Sequence, residues 1–159
     1  INDKKLKIDE NSILIIRGCG PVGYPGSAEV VNMQPPDRLL KKGITHLPTL
    51  GDGRQSGTSE SPSILHVSPE SAVGGDLGIV KTGDKMKIDL NKRRVDLLIS
   101  QLEFKKRRKN KKLFKANNQT PWQEIFRDTV GQLEDGACIN SRGSYLDVSN
   151  KKGLPRNSH

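Results

Sequence analysis

Short apolar runs separated by glycine-rich polar stretches fill the first part of the chain. The run Ile13–Ile16 predicts a strand over 13–17, and the stretches 44–50 and 63–67 predict two more short strands. Each of the first two runs leads into a glycine-rich loop, RGCGPVGYPGSAE after the first and GDGRQSGTSES after the second. If these strands share a sheet or barrel, the two loops lie side by side.

A different pattern begins at residue 78. Three short runs, 79–81, 85–90 and 94–99, are separated by turn residues, and the central run KMKIDL alternates polar and apolar side chains. Such alternation is typical of a half-exposed strand. The segment is therefore predicted to form a meander of antiparallel strands.

Helices are predicted from cap residues and apolar spacing. Asp37 is expected to cap a helical turn that Gly43 ends, and a basic helix is expected after Gln101. Thr120 followed by Pro121 marks the start of a later helix, for which Trp122 is expected to be the docking anchor. A short helix is also predicted over 27–33.

The composition is that of one domain with few hydrophobic residues. Of the 159 residues, 32% are hydrophobic and six are aromatic. This suggests a domain that buries part of its apolar surface against a neighbouring domain. The longest apolar runs have about four residues, against roughly 20 needed to cross a bilayer, so no membrane segment is predicted. The opening INDKKLKIDEN has no signal-peptide pattern, and the chain is expected to begin inside a longer protein.

The positive charge is concentrated in one place. The net charge is +9, and eight basic residues with no acidic one lie between Lys105 and Lys115, which leaves +1 for the rest of the chain. This run is interpreted first as a solvated helix face or a connector. A basic nucleic-acid-binding module stays open as an alternative, although only Phe104 and Phe114 flank the run and no aromatic residue is interleaved with it.

The two cysteines give no metal or disulfide pattern. Cys19 and Cys138 are 119 positions apart, and neither belongs to a C-x-x-C motif. A reducing, cytoplasmic location is therefore the expectation.

The first glycine loop contains the spacing G-x-G-x-x-G at Gly18, Gly20 and Gly23. In a dinucleotide-binding fold the third glycine leads into a helix whose N-terminus faces the phosphates. Here Pro25 and Gly26 follow, and these residues disfavour a regular helix at that point. A dinucleotide-binding module is thus the weakest hypothesis, and a sharp turn is the plain structural interpretation.

Each glycine loop offers an oxygen ligand. The first ends in Glu29, and the second presents Ser56 and Thr58 on either side of Gly57. A carboxylate and a hydroxyl that converge on one point suit a hard cation such as Mg²⁺. Taken alone this pairing is weak, because serine and threonine are common in ordinary loops.

Several motifs together carry a family resemblance. The segments RGCGPVGYPGSAEVVNM, LGDGRQSGTS, HVSPESAVGG and GDKMKIDLNKRRVDLLIS occur in this order over residues 12 to about 100. They resemble the C-terminal domain of the dihydroxy-acid dehydratase and phosphogluconate dehydratase family. The later TPWQEI and GLPRNSH resemble the C-terminal extension of its aldonate (pentonate) sugar-acid dehydratase branch.

The resemblance implies an activity and the residues that carry it. Enzymes of this family are hydro-lyases that convert a 2,3-dihydroxy acid to a 2-keto-3-deoxy acid with an iron–sulfur cluster and Mg²⁺. Glu29 matches a Mg²⁺ ligand, Ser56 matches the catalytic base, and Thr58 matches a hydroxyl beside the substrate. The cluster ligands belong to the N-terminal domain, so the isolated chain is expected to be inactive, and Cys19 and Cys138 are not expected to be ligands. Glu60 departs from the small residue usual in the family, which leaves the substrate preference open.

The resemblance also implies the architecture and the partners. The expected fold is α+β, a barrel-like swivelling domain of mixed strands with flanking helices over 1–103, and a basic helix with a C-terminal extension over 104–159. The expected partners are a sugar-acid substrate, the protein's own N-terminal domain and further copies of the chain in a dimer or tetramer. A branched-chain dihydroxy-acid dehydratase remains the alternative within the family.

Overall fold

The computed structural model describes residues 1–25, 34–54, 62–114 and 117–140. The predicted helix over 27–33 lies outside these ranges. Where the described residues do form elements, they follow the predicted order of short strands, a hairpin and two longer helices.

Three short strands form a parallel sheet. Strands β1 (Leu14–Ile16), β2 (Thr49–Gly51) and β3 (Ser63–Ile64) lie in the order β1-β2-β3. Leu14 is paired with Thr49, and Thr49 in turn with Ser63. Parallel strands end at the same edge of a sheet, so the two glycine-rich loops leave β1 and β2 at neighbouring points. The prediction that the two loops start side by side is confirmed.

The apolar side chains pack in two clusters. One contains Leu14, Leu39 and Leu47, and the other contains Leu50, Leu77 and Val80. Each fully buried leucine contributes roughly 1.5–3 kcal/mol of transfer free energy. Helix α1 (Asp37–Leu40), which supplies Leu39, begins after Pro36, and Gly43 follows it with a left-handed φ of 81°.

A β-hairpin follows the sheet. Strands β4 (Met86–Asp89) and β5 (Arg94–Leu97) pair antiparallel, with Ile88 opposite Val95. The third strand predicted for this meander, over 79–81, is wrong. Instead, 76–79 forms a 3₁₀ turn in which the Gly78 and Val80 amides donate to carbonyls three residues earlier, so these donors are satisfied locally.

No closed barrel is formed by the part of the chain that the structure describes. It contains a three-stranded sheet and a separate two-stranded hairpin, joined by 3₁₀ turns at Ser71–Val73 and Asp76–Ile79. No described strand pair joins the two sheets, so their strands do not close around a common axis. The predicted mixture of helices and strands is confirmed, whereas the barrel-like closure is corrected.

The predicted basic helix is present, and ion pairs hold it against the rest of the domain. Helix α2 (Gln101–Lys109) starts at Ser100, whose Oγ accepts the Glu103 amide at 3.2 Å. The Arg107 guanidinium donates to Asp84 at 2.5 Å and to Glu103 at 2.7 Å, and this pairing lowers the pKa of the Asp84 carboxyl. Arg108 pairs with Asp76 at 3.1 Å. Two cations of the basic run therefore attach the helix to its own domain.

The last described helix begins as predicted but is anchored differently. Helix α3 (Pro121–Thr129) has Thr120 as its cap and Pro121 at its first turn. Trp122 is 78% exposed, so its predicted role as the docking anchor is wrong. Two turns further on, Arg127 donates from Nε to the Val22 carbonyl at 2.7 Å and ties the helix to the first glycine loop. Neither α2 nor α3, the longest helices of the described ranges, is long or apolar enough to cross a membrane.

Candidate functional site

Asp52 lies just after β2 and holds the start of the first glycine loop. Its side chain is fully buried, with 0% of its surface exposed. Oδ2 accepts the amides of Gly18 at 3.0 Å and Ser71 at 2.9 Å, Oδ1 accepts the Cys19 amide at 3.1 Å, and the Ser71 hydroxyl also donates to Oδ2. The parallel pairing of Ile16 with Gly51 brings these groups together, because the next residues along both strands meet at the sheet edge.

Glu70 holds the second half of the same loop. This side chain is also fully buried, and it accepts the amides of Val22 at 2.9 Å and Gly23 at 2.8 Å. Gln132, from the 117–140 segment, donates from Nε2 to Glu70 Oε1 at 2.9 Å and accepts the Glu70 amide at 3.1 Å. We call Asp52 and Glu70 the carboxylate clamp.

Glycine is required where the loop touches the clamp. A Cβ on Gly20 would lie 2.7 Å from the Glu70 carboxyl carbon, and one on Gly23 would lie 2.8 Å from the Gly18 carbonyl. Gly18 adopts a φ of 78°, in the left-handed region. The amides of Gly18, Cys19, Val22 and Gly23 donate to carboxylates, so they are already used and do not form a free phosphate cradle. This arrangement argues further against a dinucleotide-binding loop, which was the weakest hypothesis from the sequence.

The predicted site residues Glu29, Ser56 and Thr58 lie outside the described residues, as does Glu60. The structure describes instead the ends of the strands from which their two loops leave. The role of Asp52 in the first loop was not predicted from the sequence. The sequence signal for Asp52 is an acidic residue between two glycines directly after a strand, whereas Glu70 has no comparable local signal.

The described residues do not fit an iron–sulfur cluster. They contain no group of three or more His, Cys, Asp or Glu side chains that could hold a metal ion. Both clamp carboxylates already accept several N–H donors, which leaves them poorly suited as Mg²⁺ ligands. Glu29 therefore remains the candidate Mg²⁺ ligand from the sequence, and the other ligands must come from elsewhere.

The two cysteines differ in environment. Cys19 is partly buried beside Asp52, whereas Cys138 is exposed. Burial and the neighbouring Asp52 carboxylate both raise the pKa of the Cys19 thiol. Cys19 is therefore held as a neutral thiol that packs in the loop.

This difference predicts selective alkylation. At pH 8, iodoacetamide is expected to modify Cys138 at least about tenfold faster than Cys19, because the thiolate is the reacting species and access also limits Cys19. Peptide mass spectrometry over a time course measures both rates. Equal rates in the folded protein would contradict the environment described for Cys19, and equal rates in urea serve as the control.

Comparisons with known proteins agree on one family. A sequence model described as "Dihydroxy-acid/6-phosphogluconate dehydratase C-terminal" matches residues 1–137. D-xylonate dehydratase from Caulobacter vibrioides is 55% identical over 159 residues, covering 100% of this chain and 26% of that protein. L-arabinonate dehydratase from Rhizobium leguminosarum bv. trifolii is 50% identical over 107 residues, covering 67% of this chain and 18% of that protein.

A third relative is a dihydroxy-acid dehydratase. Dihydroxy-acid dehydratase from Thermodesulfovibrio yellowstonii is 40% identical over 134 residues, covering 84% of this chain and 24% of that protein. The chain thus spans about a quarter or less of the length of these curated relatives.

Proposed function

Because this chain belongs to the dihydroxy-acid/6-phosphogluconate dehydratase family, we propose that it forms the C-terminal part of a hydro-lyase acting on a sugar acid. The family inferred from the sequence motifs is confirmed, and sugar-acid dehydratases are among the relatives most similar to the chain. The observation that carries the proposal is the parallel pairing of β1 and β2, which starts the loops of Glu29 and Ser56 at one sheet edge.

In the proposed reaction, Ser56 in its alkoxide form removes the proton from C2 of a 2,3-dihydroxy acid. The C3 hydroxyl leaves as water with one proton, which balances the proton that Ser56 takes from C2 once Ser56 returns to its alkoxide form. The resulting enol rearranges to the 2-keto-3-deoxy acid. Thr58 would orient the substrate by a hydrogen bond. When bound, Mg²⁺ held in part by Glu29 would supply the Lewis acidity that stabilises negative charge on the substrate and makes the serine alkoxide accessible at neutral pH.

The remaining parts of the enzyme are also proposals. The iron–sulfur cluster would be held by the N-terminal domain, and the complete protein would act in the cytoplasm as a homo-oligomer. We propose the division into 1–103 and 104–159, with a swivelling first part and with α2 bridging the two, since α2 begins at Gln101. The nucleic-acid alternative is weakened because Arg107 and Arg108 of the basic run pair with carboxylates of their own domain.

A chimaeric enzyme tests the proposal. We call it the xylonate chimaera. It is the Caulobacter D-xylonate dehydratase in which the present chain replaces the segment that it matches. We expect its kcat/KM for one pentonate to stay within about tenfold of the parent value, or about 1.4 kcal/mol in activation free energy. The 159-residue chain alone is expected to give no product, because the site is incomplete.

The substrate panel contains D-xylonate, L-arabinonate and a branched-chain 2,3-dihydroxy acid, with formation of the 2-keto acid as the readout. Preference for the branched-chain acid would favour the alternative within the family. A folded chimaera that carries its cluster and turns over none of the three would overturn the proposed function. Turnover by the isolated chain would overturn the statement that its site is incomplete.

A further inference from the structure

We infer that Asp52 and Glu70 are positioning residues of the proposed dehydratase site. Together they fix the loop that leads from β1 toward Glu29, and Asp52 alone also ties that loop to the strand that leads to Ser56. The inference rests on the proposed function, and it concerns two side chains that the reaction itself does not use.

The chemistry of the clamp explains why both residues are acidic. Among the described residues, the groups that hydrogen-bond to the Asp52 carboxylate are all donors: three backbone amides and the Ser71 hydroxyl. Glu70 receives two backbone amides and the Gln132 side-chain amide. An ionised carboxylate accepts on both oxygens, whereas an amide side chain would place its own N–H groups against one set of donors. Full burial raises the cost of that mismatch, because water cannot replace the lost partners.

The geometry explains how the clamp reaches the proposed site. Asp52 Oδ2 and Oδ1 bind the amides of Gly18 and Cys19, shortly after the end of β1, while the Asp52 backbone continues β2. Ser56 is four residues beyond Asp52, and Glu29 is six residues beyond Gly23, the last amide that Glu70 binds. Both anchors are thus close in sequence to the groups they would position. A misplacement of about 1 Å costs on the order of 10²-fold in rate, so short, fixed connections matter to catalysis.

The two clamp residues should differ in their kinetic effects. Of the two glycine-rich loops, the Glu70 side chain holds the one that leads to Glu29, with Gln132 as its further partner. Glu70→Gln is therefore expected to raise the Mg²⁺ concentration for half-maximal activity by about tenfold, with a smaller change in kcat at saturating Mg²⁺. Asp52 joins both strand ends, so Asp52→Asn is expected to raise the Mg²⁺ requirement and also to lower kcat by about 10²-fold. A residue that only maintained stability would not separate these two quantities.

The test uses the xylonate chimaera and its Asp52→Asn and Glu70→Gln variants. Titration of the substrate-free protein with Mn²⁺, followed by electron paramagnetic resonance, gives metal affinity independently of turnover. Hydrogen exchange of the amides at 18–23 reports the clamp directly, and we expect faster exchange at Gly18 and Cys19 in Asp52→Asn and at Val22 and Gly23 in Glu70→Gln.

Leu39→Ala is the matched control, since Leu39 is 4% exposed and belongs to the cluster with Leu14 and Leu47. We expect it to lower Tm without changing the Mg²⁺ requirement. If Asp52→Asn does not fold, Ser71→Ala provides a milder variant. It removes the hydroxyl that donates to Asp52 and accepts the Gly18 amide at 2.9 Å, and it leaves the backbone amides that donate to Asp52. It is expected to raise the Mg²⁺ requirement in the same direction by about threefold.

The outcomes separate the two proposals. If the unmodified chimaera is active and the clamp variants keep its Mg²⁺ affinity and kcat, the inference is overturned and the proposed function stands. If the Mg²⁺ requirement rises equally in Leu39→Ala, the clamp is only structural. A folded but inactive unmodified chimaera removes the proposed function and the inference with it.

Discussion

Replacing Ser56 by alanine in the xylonate chimaera is expected to lower kcat by about 10³-fold, in the range found for loss of a general base. KM for the pentonate should change little, because the hydroxyl is proposed to act on the C2 proton in the transition state rather than to bind the ground state. Formation of the 2-keto-3-deoxy acid under saturating substrate measures the loss.

Ser100→Ala is the matched control for this substitution. The Ser100 hydroxyl caps α2 by accepting the Glu103 amide at 3.2 Å, so its removal should cost about 1 kcal/mol of stability and leave kcat unchanged. Ser56→Ala with near-normal kcat, intact cluster absorbance and bound Mg²⁺ would assign the base to another residue.

The substitution Gly75→Ala is expected to cost about 3 kcal/mol of folding free energy or more. Gly75 has a φ of −58°, which alanine adopts readily, so the cost is steric. The new methyl group would overlap the Pro69 carbonyl oxygen and lie 2.9 Å from the Glu70 carbonyl oxygen. Both contacts are with backbone, which cannot move aside by changing a rotamer.

Gly83→Ala separates steric cost from conformational cost. At Gly83 no atom lies within 4 Å of the added methyl group, but φ is 91°, so only the left-handed conformation opposes the change. That penalty is about 1–2 kcal/mol. We compare the two variants of the xylonate chimaera by Tm and soluble yield. Equal losses in both would contradict the predicted overlap at Pro69.

The sequence predicted elements whose signals are local. The run Ile13–Ile16 contains β1, and the Thr120-Pro121 pair marks the start of α3. The strand predicted over 79–81 failed because Gly78 and Val80 donate within a 3₁₀ turn, which an apolar run does not reveal. Trp122 failed as an anchor because helical spacing identifies an apolar face without showing what covers it.

The candidate site likewise contains some residues that the sequence identified and others that it did not. Glu29, Ser56 and Thr58 were identified from family motifs, and their roles remain predictions. The clamp was not predicted, because its contacts join residues far apart in the chain: 34 positions from Gly18 to Asp52 and 47 from Gly23 to Glu70. The sequence around a buried carboxylate does not indicate which distant amides will donate to it, because the pairing of the strands determines which loops lie next to each other.

The pair formed by Glu70 and Gln132 sets a rule for recombining members of this family. A crossover in the connector between α2 and α3 would take Glu70 from one parent and Gln132 from the other, and would place Arg127 against a first glycine loop from the other parent. Fragments exchanged as one block from the first glycine loop through residue 132 keep these contacts within one parental sequence. The segment after α2 is therefore best inherited together with the loop it supports, even though the two lie at opposite ends of the chain.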